Sequence, residues 1–315
     1  MLPIAPLRRS DPRLYQIASL ALLLAWGMAA LSFDVTPGRA ALLLTTALGA
    51  QAVFTRIFRL PAWDPWSALI SGLSLCLLLR TASPLLAAAA AAVTIGSKFL
   101  LRWNGKHIFN PTNFGIVAML AAGANVWVSS GQWGSTIFFA FLIACAGRFV
   151  VHRAARADVT LAFLGTFAAL LFARAISVHD PLTIPLHRLE SGALLLFAFF
   201  MISDPKTTPD SRAGRILFGA IVGIGAAYVQ LRLFRPNGAL WSLALFSLLV
   251  PLLDLVLPGR RPSGITAFAP KGETHAPLLL DLDFPRRPVP VRARSRSSGA
   301  RLLRLLRGES RHEAV

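Results

Sequence analysis

With 315 residues, 55% of them hydrophobic and only 15% charged, the chain carries too much apolar surface and too little charge for a soluble protein of its length. Its formal net charge of +18 would suit a nucleic-acid binder, but the basic residues fall between apolar runs and in a C-terminal tail, which excludes that class. Cys76 and Cys145 lie inside apolar runs, and no CxxC pair or Cys/His cluster exists, which argues against a zinc, haem or iron–sulfur site held by this chain alone.

Ten apolar spans are predicted in chain order: 14–33, 39–58, 66–81, 83–101, 108–128, 135–152, 159–178, 190–203, 214–233 and 238–257. The first follows Arg8, Arg9 and Arg13 and has no convincing cleavage site, so it is expected to be a membrane anchor and not a signal peptide. The fold class is an all-α polytopic membrane protein of about ten transmembrane helices. Charge tests the topology independently. With the N-terminus cytoplasmic, the inside connections hold fourteen basic residues and the outside ones six, Arg39, Arg80, Arg174, Arg188, Arg232 and Arg235. Both termini are therefore expected in the cytoplasm, of a plasma (inner) membrane. Residues 1–13 form a cytoplasmic N-terminus, 14–258 the membrane domain (halves about 14–130 and 131–258), and 259–315 a basic tail. That tail is rich in Pro, Arg and Ser and is expected to be disordered. Its end, GARLLRLLRGESR, reads either as a short helix on anionic lipid or as a solvated basic segment.

Two pairs of segments echo each other. SGLSLCLLL from Ser71 resembles SGALLLFAF from Ser191, and FNPTNFG from Phe109 resembles FRPNGAL from Phe234. Each pair is five spans apart, and an odd offset predicts two inverted five-helix repeats. Gly72 and Gly192 would then be equivalent, and Pro111 and Asn237-Gly238 would mark interrupted helices.

Three regions could carry chemistry. In GSKFLLRWNGKHIFNPTNFG, Lys98, Arg102, Lys106 and His107 flank an Asn-Gly turn, and Asn110, Pro111, Thr112, Asn113 and Gly115 open an apolar span. A helix starting at Asn-Pro presents free N–H groups to a flavin, a phosphate or a quinone carbonyl, or else is an ordinary satisfied N-cap. In SDPKTTPDSRAGR, Asp204-Pro205 ends one helix, while Thr207, Thr208 and Asp210 are candidate caps for the next. Asp204 and Asp210 are expected to pair with Lys206, Arg212 and Arg215. Finally, Asp254 lies deep in an apolar run, where an acid is either functional or paired with a basic neighbour near the cytoplasmic face. No two of His107, His152, His179 and His187 have metal-ligand spacing, and no hydrolytic constellation is present.

HIFNPTNFG, SGALLLFAFFMISDPKTTPDSRAGRILFGAIVG and NGALWSLALFSLLVPLLD together resemble the NqrB/RnfD family, the membrane subunits of the sodium-pumping NADH:quinone oxidoreductase and of the Rnf electron-transport complex. The resemblance implies ten helices in two inverted halves, flavin in this subunit, partner subunits of an electron-transport complex, and electron flow coupled to ion movement. It also implies an FMN held by a threonine phosphoester in a Ser-x-Ala-Thr type segment after the Asn-Pro helix. Here that region shrinks to AAGANVWVSSGQWGST, and the Ser-Gly-Ala at 191–193 is followed by Leu194, which has no hydroxyl to esterify. Covalent FMN is therefore expected to be absent. A non-covalent flavin (FMN or riboflavin) or quinone is expected at Lys98, Asn110, Pro111, Thr112, Asn113 and Gly115 on one half and at Gly192, Asp204, Thr207, Arg212 and Arg215 on the other. The chain would be at most an electron-carrying subunit of a redox-driven translocase. Alternatives on the same scaffold are a transporter or channel without redox cofactor, or a membrane dock for a biosynthetic assembly. The last follows from a further similarity to short NqrB-like proteins encoded with enediyne biosynthetic cassettes.

Overall fold

A computed structural model describes residues 12–31, 33–129 and 157–259. The predicted span 135–152, the residues before 12 and the tail beyond 259 lie outside the described residues. The first half is built from α1 (Pro12–Ala30), α2 (Pro37–Ile57), α3 (Pro65–Leu78), α4 (Pro84–Leu100) and α5 (Pro111–Ala121). The second contains α6 (Ala157–Ser177), α7 (Thr183–Leu189), α8 (Gly192–Leu196, continued by a π-helical turn Phe197–Met201), α9 (Arg212–Leu231), α10 (Gly238–Ser247) and α11 (Val250–Val256).

Local chemistry sets the helix starts. Proline fixes a helical φ at a position whose N–H needs no partner, and the residue before it supplies a capping oxygen. Thr36, Asp64, Ser83 and Asn110 thus accept from the backbone N–H of Arg39, Ser67, Leu86 and Asn113 in α2, α3, α4 and α5.

Among the described residues, α1, α2, α6 and α9 are long and apolar enough to cross a membrane singly. Two further crossings are bent pairs: α7 with α8 at 50°, and α10 with α11 at 53°. The predicted spans 66–81, 83–101 and 108–128 are corrected to helices of 14, 17 and 11 residues. The α3 helix stops because the chain becomes extended at β1 (Leu79–Arg80), which pairs antiparallel with β4 (Trp127–Val128). Arg80, only 3% exposed, folds back and donates to the carbonyls of Cys76 and Leu79, both at 2.8 Å, so it closes the helix end it follows. The α5 helix stops at a Schellman motif. Gly123, at φ +68°, donates to Leu120 O and Ala124 donates to Met119 O. Between α4 and α5 a hairpin pairs β2 (Arg102–Trp103) with β3 (Lys106–His107) through Asn104-Gly105, both at positive φ as a tight turn of this kind requires.

Packing relies on small residues. Gly219 and Gly223 of α9 lie against the backbone of α6 at Val159 and Phe163. Gly115 of α5 lies against Thr94 of α4, and Gly225 of α9 lies against Ser242 and Phe246 of α10. Where lipid replaces water, close backbone approach of this sort holds helices together.

Candidate functional site

The hairpin end of the bundle is tied by a buried ion cluster. Lys106 of β3 donates to Asp210 Oδ1 at 3.0 Å, Asp254 Oδ2 at 2.7 Å and the Thr208 carbonyl at 2.8 Å. Asp254 Oδ1 in turn accepts from the Asp210 backbone N–H at 2.7 Å. Asp254 therefore takes the paired alternative. Asp210 pairs with Lys106, a partner the spacing did not suggest, and its carbonyl accepts from Arg215 Nη1 at 2.9 Å. Arg215 instead grips Asp158 at the start of α6 through Nε and Nη2 at 2.6–2.8 Å. Arg212 opens α9 and is exposed. The cap of α9 is Ser211, whose Oγ accepts from Gly214 N–H, so Thr207, Thr208 and Asp210 do not cap it. Thr207 and Thr208 turn back onto the Asp204 carbonyl, and Asp204 Oδ1 accepts from Lys206 N–H, making 204–208 a self-satisfied turn.

A polar seam runs from this end into the bundle. Asn110 Oδ1 caps α5, while its Nδ2 donates to Met201 O at the end of the π turn, 3.3 Å away. Asn113 Nδ2 donates to Leu240 O of α10 at 3.2 Å, and its fully buried Oδ1 has no hydrogen-bond partner among the described residues. Thr112 lies against Ser71 O of α3 at 3.5 Å, Pro111 is buried in the first turn, and Gly115 packs on Thr94. The π turn, defined by Ile202 N–H donating to Phe197 O, sends carbonyls elsewhere: Ala198 O accepts from Thr160 and Met201 O from Asn110. Asn110→Ala removes both a cap and an inter-half hydrogen bond. It is expected to lower stability by about 1–3 kcal/mol in detergent unfolding, with Asn110→Ser recovering the capping part.

Toward the far end lies a cavity of about 480 Å³. Gly192 and Ser191 at the start of α8, and Asn237, Gly238 and Ala239 at the start of α10, line it. Phe167 and Phe197 supply aromatic walls; Arg188, Glu190 and Gln230 supply polar edges. Asn237 takes a left-handed conformation, φ +62°, and no side chain caps α10, so that helix start faces the cavity. Of the predicted site residues only Gly192 lines this space; Lys98 lies in a second cavity, and the others form the seam, the turn and the α9 entry. The sequence signal for the rest of the wall was the echo of Asn237-Gly238 with the Asn-Pro motif.

A second, smaller cavity of about 50 Å³ sits at the hairpin end and holds Lys98. Lys98 Nζ donates to Ser67 O at 2.9 Å and Ser67 Oγ at 3.0 Å. His107, in the hairpin outside the spans, also lines it. Burial, with Lys206, Arg102 and Lys98 nearby, holds its imidazole well below the usual 6.5. Below that ordinary value the unfolded chain binds a proton that the folded one refuses, so stability falls as pH drops. His107→Gln is expected to flatten the unfolding midpoint between about pH 7 and pH 5, removing a slope of at most ~1.4 kcal/mol per pH unit.

Long apolar helices, bent helix pairs and a polar seam define a multi-pass membrane protein. Residues 122–261 match the profile of the NQR2, RnfD, RnfE family. The chain is 34% identical over 103 residues to the RnfD subunit of the ion-translocating oxidoreductase complex of Escherichia coli O1:K1 / APEC, covering 33% of this chain and 29% of that protein. It is 40% identical over 96 residues to the protein of the same name from Tolumonas auensis, covering 30% and 27%. The matched stretch thus spans less than a third of the length of these relatives.

Proposed function

We propose that the chain is the membrane subunit of an Rnf- or Nqr-like electron-transport system and holds a flavin or quinone without a covalent link, in the far cavity. The observation that carries this reading is the cavity itself, within the size range of cofactor pockets and walled mainly by the part of the chain that matches the family. Two helix starts and the Gly192 and Gly238 backbones allow close approach of a planar ring carbonyl. Phe167 and Phe197 would flank the ring, and Arg188 and Gln230 would hold its polar rim. A flavin bound there supplies one- and two-electron transfer. The residues' part is to bind it, orient it and keep water out.

The same reading includes the ten-helix inverted-repeat arrangement with cytoplasmic termini, a plasma-membrane location, partner subunits and a link to ion movement. In its support, α2–α4 and α6–α9 are matching helix pairs, each followed by a short helix, α5 or α10, packed on its second member. Residues 121–136, where the resemblance would put the esterified threonine, carry no Ser-x-Ala-Thr type segment, so the cofactor is held by contacts alone. The test is the visible spectrum and extractable cofactor of protein purified in mild detergent. A flavin or quinone is expected to copurify, to be lost on denaturation and washing, and to fall sharply in Gly192→Leu. No cofactor in the native protein, or flavin fluorescence surviving on a denaturing gel, overturns the reading.

A further inference from the structure

We propose that the small cavity at the hairpin end is a binding site for a phosphate group, separate from the far cavity and independent of what occupies it. Its central observation is the charge on Lys98. This ammonium is 5% exposed, and its hydrogen bonds go to the Ser67 carbonyl and hydroxyl, neither of which is charged. Among the described residues it makes no ion pair. A buried ammonium carries three protons and a desolvation cost that neutral oxygens offset only in part. The acid next to it, Asp64, is engaged elsewhere: its carboxylate accepts from Arg13 at 3.1 and 3.2 Å and caps α3 through Ser67 N–H.

Asp64 is part of the wall, and the wall's other charged residues have the sign of Lys98. Arg102 comes from the hairpin and Lys206 from the turn between α8 and α9, so three cations from three segments converge on a space of about 50 Å³. That space exceeds what one water occupies and suits a tetrahedral oxyanion. Two polar atoms are also left over. Gln51 is 5% exposed and its Oε1 has no partner among the described residues, and His107 Nδ1 is buried with none among them. Both residues line the cavity. With its amide turned over, Gln51 donates N–H to an anion oxygen, an exchange of O and N that preserves its shape. His107 Nδ1 becomes a donor when an anion beside it draws a proton onto the ring. Binding therefore satisfies Lys98, Gln51 and His107 together, whereas a cation would face three like charges.

The position also fits a phospholipid headgroup. Val53 and Ile57 of α2 and Leu100 of α4 are exposed apolar side chains at the same ends of the helices that carry Gln51 and Lys98. Basic pockets between transmembrane helices on the cytoplasmic side take lipid phosphates. A soluble phosphate would use the same donors, so the two sources are separated by experiment.

The full chain, purified in detergent, is titrated with phosphatidylglycerol, with phosphatidylcholine and with inorganic phosphate, following the unfolding midpoint and, for the lipids, native mass spectrometry. A rise in midpoint with phosphatidylglycerol but not with inorganic phosphate identifies a lipid headgroup; a rise with inorganic phosphate identifies a soluble phosphate. In either case Lys206→Gln, at the mouth, and Lys98→Met are each expected to weaken the response about tenfold or more, as loss of one charge-assisted contact predicts. His107→Gln is expected to abolish the proton uptake that accompanies binding. Lys206→Gln leaves the Lys98–Ser67 contacts intact, so it remains informative if Lys98→Met does not fold. No response to any of the three probes, or a response unchanged in Lys206→Gln and His107→Gln, such as binding through the basic tail would produce, overturns the proposal.

Discussion

Lys106→Met is expected to destabilise the protein by about 3–5 kcal/mol, because it strips the cation from two carboxylates that have little access to water. The Lys106 side chain is 5% exposed, that of Asp210 is 7% and that of Asp254 is 20%. A surface pair would be worth little, but here the penalty is the charge left behind. The cluster also joins three distant stretches: the hairpin, the turn ahead of α9, and α11. Heat or SDS unfolding of the purified variant measures the effect. A variant combining Lys106→Met with Asp210→Asn and Asp254→Asn is expected to recover most of the loss, since it leaves no uncompensated charge. If the single change costs less than about 1 kcal/mol, the range of exposed pairs, the cluster does not hold this end together.

Gly219→Val is expected to be comparably disruptive, costing about 3 kcal/mol or more and reducing the yield of folded protein. A Cβ at this position would lie 2.6 Å from Val159 O and 3.1 Å from both Ala162 Cβ and Phe163 N. Those are backbone atoms and a methyl group of α6, with no flexible chain end to swing aside. Gly223, one turn further on, meets Phe163 O at 3.0 Å, so both contacts must open together. Gly165→Val provides the control. It lies on α6 itself with nothing within 4 Å of a new Cβ, and is expected to change stability by less than about 0.5 kcal/mol. Equal losses in the two variants would show that helix propensity, and not the α6–α9 contact, sets the cost.

What the sequence revealed and what it concealed divide by distance along the chain. Helix positions and the Asn110 cap were readable because apolar length, proline and capping residues act within a few positions of themselves. The shortening of α3 was not, because it depends on Leu79-Arg80 pairing with Trp127-Val128, nearly fifty residues later. The partners of Lys106 lie 104 and 148 residues away, so local spacing did not reveal them. Arg215 looked like a partner for Asp204 or Asp210 for the same reason, its partner Asp158 being 57 residues upstream. The far cavity was glimpsed only through glycine. Gly192 and Gly238 stood out as small residues at helix starts, whereas Phe167, Phe197 and Gln230 belong to ordinary helical patterns until the helices are assembled.

The π turn at Phe197–Met201 has a consequence for how this chain can vary. Such a turn holds one residue more than an α-helical turn in the same place, so a single deletion within it would let the helix wind regularly. Nothing in hydrophobicity would oppose the change. Yet each residue in an α-helix accounts for about 100° of rotation, so the deletion would swing Gly192 away from the cavity while Met201 stayed bound to Asn110. The extra residue thus acts as a phase setting between the two ends of one helix. Substitutions across FAFFM should be far better tolerated than any change in its length.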